Sequence, residues 1–230
     1  MAIQWYQRSD SFLRDTAPKI TLRKEHIGYN AVFTKVANLS QYNRVRPGID
    51  YENYRIYFQF LYRDRDIKDT EDKFKDTLAL YSDNPNNATR STGAQKLYEH
   101  NPLLRNISEY ENSKHRQFEV KQDPNDNDIW FAQLHPTFEY IVKPTINLKD
   151  LRGIYRYKND NGLIVYIGKG VIQSRINAPQ RAKWVYNTIE YSIINDPAKQ
   201  FEWENFWIKT YKEDNDGKLP FYNQNSGRSH

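Results

Sequence analysis

Two short strings in the last third of the chain put phenols beside glycines: Gly153-Ile154-Tyr155 and Tyr166-Ile167-Gly168, the second running on into Lys169-Gly170. A phenol at neutral pH donates or accepts a hydrogen bond, and it becomes a base only when its pKa falls from about 10. The cations that follow, Lys169, Arg175, Arg181 and Lys183, are the groups that neutralise negative charge on phosphoryl oxygens. One carboxylate stands out among them. Glu204 lies in Trp203-Glu204-Asn205-Phe206-Trp207-Ile208-Lys209, and Asn223 closes the stretch in Phe221-Tyr222-Asn223.

These residues need elements to hold them. Residues 153–157 and 163–167 read as two strands joined by Asn159-Asp160-Asn161-Gly162, a composition suited to a tight hairpin, so Tyr155 and Tyr166 are expected near each other on adjacent strands. An ordinary hairpin with cross-strand aromatic packing would have the same pattern. Gly168-Lys169-Gly170 reads as a glycine turn leading into a helix; it has neither the Walker sequence nor the dinucleotide fingerprint, yet can bring one ammonium to a phosphate. Pro179 should end or kink the basic helix that follows. From about residue 201 to 212 a second helix is expected, with Phe201, Trp207, Ile208 and Tyr211 on one stripe and Glu202, Asn205, Lys209 and Lys212 on the other. Glu204 falls on the apolar stripe, where a carboxylate needs a dedicated partner. Two readings stand open: an ion pair with an arginine such as Arg175, or a metal ligand.

Composition narrows the class. Of 230 residues 38 % are hydrophobic, and 18 Tyr, 11 Phe and 5 Trp mean that the interior is built largely from rings. The chain is globular rather than disordered, and it is long enough for two domains, expected at 1–150 and 151–230. The absence of cysteine excludes disulfides and thiolate zinc sites. Neither a membrane-length apolar run nor a signal-like amino terminus is present, so a soluble protein of the cytoplasm, from a bacterial or phage-type host, is expected. The net charge of +5 is unevenly spread: residues 151–230 hold 12 Lys and Arg against 8 Asp and Glu. The first fifty residues are also basic (Arg8, Arg14, Lys19, Arg23, Lys24, Lys35, Arg44 and Arg46), and an acidic middle cancels them. Two basic regions suit a polyanionic partner.

The amino-terminal part reads as α+β. A strand is expected within residues 29–36, and Tyr51, Tyr54, Ile56, Phe58, Phe60 and Tyr62 read as one long aromatic strand. Phe74, Leu78 and Tyr81 suggest a helix ended by Asp83-Asn84-Pro85, followed by a polar loop over residues 86–93 and short helices over 94–100 and from Pro102. Residues 118–131 read as a hairpin about Asp123-Pro124-Asn125-Asp126-Asn127-Asp128. Those acidic residues lack the order and terminal glutamate of a calcium loop, so a solvated turn is expected. There is no internal repeat.

In order, Gly153-Ile154-Tyr155, Tyr166-Ile167-Gly168, Arg175, Glu204 and Tyr222-Asn223 resemble the GIY-YIG nuclease family. The resemblance covers about the last third of the chain and implies a small mixed β-sheet flanked by helices, so that the whole chain would be α+β. It further implies a DNA endonuclease that hydrolyses phosphodiester bonds with one Mg²⁺ or Mn²⁺. By that matching Tyr155 is the general base or orients the attacking water, Tyr166 assists, Lys169 meets water or phosphate, Arg175 stabilises the phosphoryl charge, Glu204 holds the metal and Asn223 braces the site. A tyrosine base predicts a rate that rises toward alkaline pH. The chain departs from the family at Pro179, where many members carry a histidine or tyrosine, and it has no histidine between His135 and His230.

The catalytic-type module comes last, which suggests a restriction or phage-interference enzyme whose amino-terminal part selects the DNA site. Residues 1–50, with the polar loop over 86–93 and Arg90, are the expected contacts there, with Lys169, Arg175, Arg181 and Lys183 touching DNA near the cut. The alternatives are a structure-specific repair nuclease and a nucleic-acid-binding protein that does not cleave. One such site cuts one strand, so a double-strand break calls for a homodimer or two successive events.

Overall fold

The computed structural model describes residues 16–64, 74–82 and 88–223, and the chain divides into two compact units, Met1–Leu134 and His135–His230. In the first unit the strands are β1 (Lys19–Leu22), β2 (His26–Tyr29), β3 (Arg44–Asp50), β4 (Arg55–Leu61), β5 (Leu78–Tyr81), β6 (Arg90–Gly93), β7 (Gln117–Gln122) and β8 (Ile129–Gln133), with helices α1 (Ala31–Val36), α2 (Gln95–Glu99) and α3 (Pro102–Ser108). The strands close into an antiparallel barrel in the order β1-β2-β6-β5-β3-β4-β8-β7, which leaves no free sheet edge.

Alternation in sequence accounts for the barrel wall. Ile56, Phe58 and Phe60 of β4 turn inward, where Tyr29, Phe33, Phe58 and Phe60 meet with ring centroids 5.6 to 6.3 Å apart. Asn30 caps α1 by accepting from the Phe33 amide at 2.8 Å, and its own amide donates to Ala17.

The second unit holds β9 (Tyr140–Val142), β10 (Arg152–Lys158), β11 (Ile164–Val171) and β12 (Thr188–Ile193), with α4 (Ile172–Ile176) and α5 (Pro197–Asp214). Its sheet runs β11-β10-β12-β9, every neighbouring pair antiparallel. Tyr155, Tyr157, Tyr166, Ile172, Ile189 and Tyr191 form its core with Leu148 and Val165. Asp196 caps α5 by accepting from the Ala198 amide at 2.8 Å, and Pro197 sits where a missing N–H costs nothing.

The expected fold class is overturned. The protein is mostly β, an eight-stranded closed barrel plus a four-stranded sheet; the sheet is antiparallel throughout rather than mixed, and of the five α-helices among the described residues only α5 exceeds seven residues. It is not the α+β fold that the family resemblance implied. The aromatic segments of β4, β10 and β11 went into strands because rings pack well on a pleated half-buried surface.

Local readings fail for the same reason. Leu78–Tyr81 is β5, not helix, and Arg90–Gly93 is β6, not loop, because each completes the barrel through the other. Residues 29–36 hold the end of β2 and then α1. The long aromatic strand is β4 alone, since Asp50 turns the chain by accepting from the Asn53 amide and leaves Tyr51 half exposed. The hairpin of β7 and β8 and helices α2 and α3 lie where expected. Its turn is closed by Asp123 and Asp126, each accepting from an amide two residues on. Arg8, Arg14 and residues 65–73 and 83–87 of the expected helix and loop lie outside the described residues. Among the described residues no helix is long and apolar enough to cross a membrane.

A candidate phosphate site around a buried arginine

The hairpin of β10 and β11 pairs Tyr155 with Gly168 and Tyr157 with Tyr166. Asn159 shapes its turn by accepting from the amides of Asn161 and Leu163, and Gly162 takes the left-handed conformation at φ 74°. The glycines of both tyrosine strings have a steric reason. A Cβ at Gly153 would overlap the Ser192 carbonyl oxygen, and one at Gly168 would lie 2.8 and 2.9 Å from the hydroxyls of Tyr166 and Tyr155. Glycine at 168 therefore lets two phenolic oxygens converge over the sheet.

They converge on Arg181. Its Nη1 donates to the hydroxyls of Tyr155 and Tyr157, each at 3.1 Å, and its Nη2 donates to that of Tyr166 at 2.9 Å. The guanidinium also lies over the faces of Tyr166 and Trp184, 4.4 and 4.9 Å from their centroids. Pro179 creates this placement: α4 stops at Ile176, and a tight turn at Pro179–Arg181 carries the arginine inward, where 7 % of its surface is exposed. Among the described residues Arg181 meets no carboxylate. Burial works against its charge, but the surrounding phenolic oxygens together outweigh that and hold its proton firmly, so it is a permanent charge.

Burial disfavours the charged form of the phenols as well. It pushes the pKa of Tyr155 well above the ordinary value, with Tyr166 adding to the rise and Arg181 only partly opposing it; burial likewise raises that of Tyr157. Tyr155 therefore keeps its proton at neutral and moderately alkaline pH. The general-base role does not suit it, and it serves instead to position Arg181.

Arg181, Tyr166, Lys169, Arg175, Glu204 and Asn223 all line one open cleft of about 840 Å³. Tyr155 stands behind it. Glu204 faces the cleft with 17 % of its side chain exposed, and its carboxylate is 3.1 Å from Lys169 Nζ. Its ion-pair partner is thus Lys169, not Arg175. Arg175 is exposed and its side chain makes no hydrogen bond or ion pair among the described residues; its Nε lies near Gly170, whose φ of 116° suits glycine. Gly168-Lys169-Gly170 belongs to β11 rather than to a turn, so Lys169 projects from a strand.

The stripe expected on α5 is only half right. Trp207 is buried, its indole donating to the Pro136 carbonyl, whereas Phe201 is 57 % exposed beneath the Lys169 ammonium. Gln200 and Thr210 are the other buried positions, Gln200 because its amide donates to the Ile194 carbonyl. Asn223 binds the edge of β11. Its side-chain oxygen accepts from the Ile167 amide and its nitrogen donates to the Ile167 carbonyl, both at 2.8 Å, so it acts as one residue of a missing strand along the β11 edge.

Lys183 is exposed and does not line the cleft, and Arg90 belongs to the barrel unit. Sequence reasoning overlooked Tyr157 and placed Arg181 among surface contacts. The signal for Tyr157 was its spacing two residues from Tyr155, which puts both on one face of a strand. Trp184 and Tyr222, stacked with centroids 4.3 Å apart, form the aromatic wall. Among the described residues no three His, Cys, Asp or Glu side chains cluster as a multidentate metal site. Comparison of the chain with protein-family profiles, curated proteins and solved structures found no match.

Proposed function

We propose that the carboxy-terminal unit hydrolyses phosphodiester bonds of DNA, as a divalent-cation-dependent endonuclease of the restriction or interference type. The observation that carries this reading is the buried Arg181 guanidinium, held by three phenolic hydroxyls without a carboxylate, on a cleft that also presents Arg175 and Lys169. Neutral hydroxyls orient a cation but do not cancel its charge. The wall is complementary to an anion, and phosphoryl transfer needs positioned positive charge where the equatorial oxygens gather negative charge. The ordered residues that resemble GIY-YIG nucleases supply independent support from the sequence.

Glu204 is the carboxylate that would hold the cation. A lone carboxylate on an open wall fits Mg²⁺ or Mn²⁺ retaining most of its water shell, and such an ion supplies hard positive charge toward phosphoryl oxygens. The remaining work falls to the chain. Arg175, without competing partners among the described residues, reaches for a phosphoryl oxygen. Arg181 provides a fixed charge beside it, and the Tyr166 hydroxyl, which accepts from Arg181, lines the same cleft. Lys169 orients the Glu204 carboxylate. Tyr155 and Tyr157 hold Arg181 in place.

Purified protein incubated with plasmid DNA and Mg²⁺ should yield a nicked circle or discrete fragments. Glu204→Ala and Arg175→Ala should each cut at least about 100-fold more slowly, the scale expected when one charge-stabilising group is lost. Equal cutting by both variants would overturn the assignment. A second reading, nucleic-acid binding without hydrolysis, draws on the Lys169–Glu204 pair, which occupies the carboxylate internally. Tight DNA binding in the absence of divalent cation, with no product at any Mg²⁺ concentration, would select it.

A further inference from the structure

The barrel unit has its own cationic cleft, remote in sequence from the residues just described. It measures about 280 Å³ and lies across β1, β2 and β6, with Lys19, Arg23, His26 and Arg90 in its walls and no aspartate or glutamate among its lining residues. Register explains how they meet. Thr21 pairs with Gly28 and Gly28 with Ser91, so three adjacent strands present small side chains, or none, at the same level. At Gly28 a Cβ would have the Arg23 Nε and the Thr21 carbonyl oxygen as its nearest neighbours, both at 3.9 Å. The floor is therefore flat, and basic side chains rise around it.

The two arginines are only weakly engaged. Arg23 Nη1 stands 3.5 Å from His26 Nε2, at the limit of a hydrogen bond, and Arg90 Nη1 donates to its neighbour's carbonyl, that of Thr89, at 3.3 Å. Neither meets a carboxylate among the described residues. A guanidinium left in this state keeps its planar fork of donors for an external acceptor, and two of them over one shallow floor match consecutive phosphates better than a single buried anion. A shallow cleft on the wall of a barrel also suits a backbone running past it rather than a small molecule enclosed within it.

We infer that this β1-β2-β6 saddle binds the phosphodiester backbone of nucleic acid through Arg23 and Arg90, fixing the position of the strand without reading its bases. The inference rests on the nucleic-acid reading above for its partner, but not on hydrolysis. Backbone contacts position a protein on its substrate and release counterions, so they show as salt dependence.

The test is duplex binding by the full chain, followed by fluorescence anisotropy in EDTA across a salt series. Arg23→Glu with Arg90→Glu should weaken binding about tenfold or more and lower the slope of log K against log salt by about two, one for each lost phosphate contact. Arg23→Lys with Arg90→Lys should retain most of the slope, since point charges suffice. Lys35→Glu with Lys121→Glu, both exposed on other parts of the same unit, makes the same change in net charge and should leave the slope within one unit of the original. Equal losses from the two charge reversals would reduce the effect to overall charge and overturn the saddle, as would an unchanged slope in the arginine reversal. Glu204→Ala serves as the separating control: binding that survives there while cleavage is lost supports both assignments. Saddle-dependent binding by a wild-type chain that never cleaves keeps this inference and rejects hydrolysis.

Discussion

The two units each bury a cluster of aromatic rings, but they treat the phenolic oxygens differently. In the barrel, Tyr29 packs edge-on against Phe58 and Phe60, and its buried hydroxyl has no hydrogen-bond partner among the described residues. In the carboxy-terminal unit three tyrosines turn their hydroxyls to a single guanidinium. Rings in the first case act through area and shape alone. In the second they also form a rigid cage for a charge, and that charge faces a cleft. An aromatic core becomes a binding site when its polar atoms share a partner that they orient without neutralising.

Removing the partner should have the largest effect. Arg181→Met keeps bulk but leaves three buried hydroxyls without a donor, and a loss of about 3 kcal/mol in chemical denaturation is expected, from roughly 1 to 3 kcal/mol for each buried group left unsatisfied, reduced by local rearrangement. An unchanged midpoint would mean that the cage contributes nothing.

Alkaline titration should act on both cores. Tyr155 and Tyr157 in one unit and Tyr29 and Tyr98 in the other have pKa values raised by burial. A folded pKa above the unfolded value means that the folded state holds its proton longer, so stability is fully present below the unfolded value of about 10 and is lost as pH rises above it. Melting temperature should therefore vary little between pH 6 and 9 on account of these groups and fall above about pH 10. Tyrosinate absorbance below pH 9 in the folded protein that is lost in Tyr155→Phe would restore Tyr155 as a base.

The smallest effects discriminate most finely. Tyr157→Phe should destabilise by about 1 kcal/mol through its lost bond to Arg181, whereas Tyr29→Phe should be neutral or slightly stabilising, because it removes an oxygen that has no partner among the described residues. Equal losses in differential scanning of the two variants would erase the contrast between the units.

Much of the site was legible in the chain because it is local. Tyr155 and Tyr166 meet because a short Asn and Gly turn sets the register of adjacent strands, and Glu204 was singled out because a carboxylate among apolar residues must have a partner. Its partner was not legible, since Lys169 and Arg175 lie close to each other in sequence and only the strand assignment of Lys169 chooses between them. The barrel was largely illegible. Four-residue strands such as β5 and β6 have too little periodicity to separate from helix or loop, and they become strands by pairing with each other across the closed wall.

The amino-acid sequence alone determined the hairpin, the placement of glycines where backbone and phenols approach closely, the stop that Pro179 puts to α4, and the stock of cations and aromatic rings. Only the tertiary structure decided that Arg181 rather than Arg175 is the buried cation, that Asn223 completes the edge of β11, and that the whole chain is mostly β. The reason is physical range: turns and caps are settled by atoms a few residues apart, whereas the burial of a charge and the closure of a sheet depend on which distant segments exclude water together.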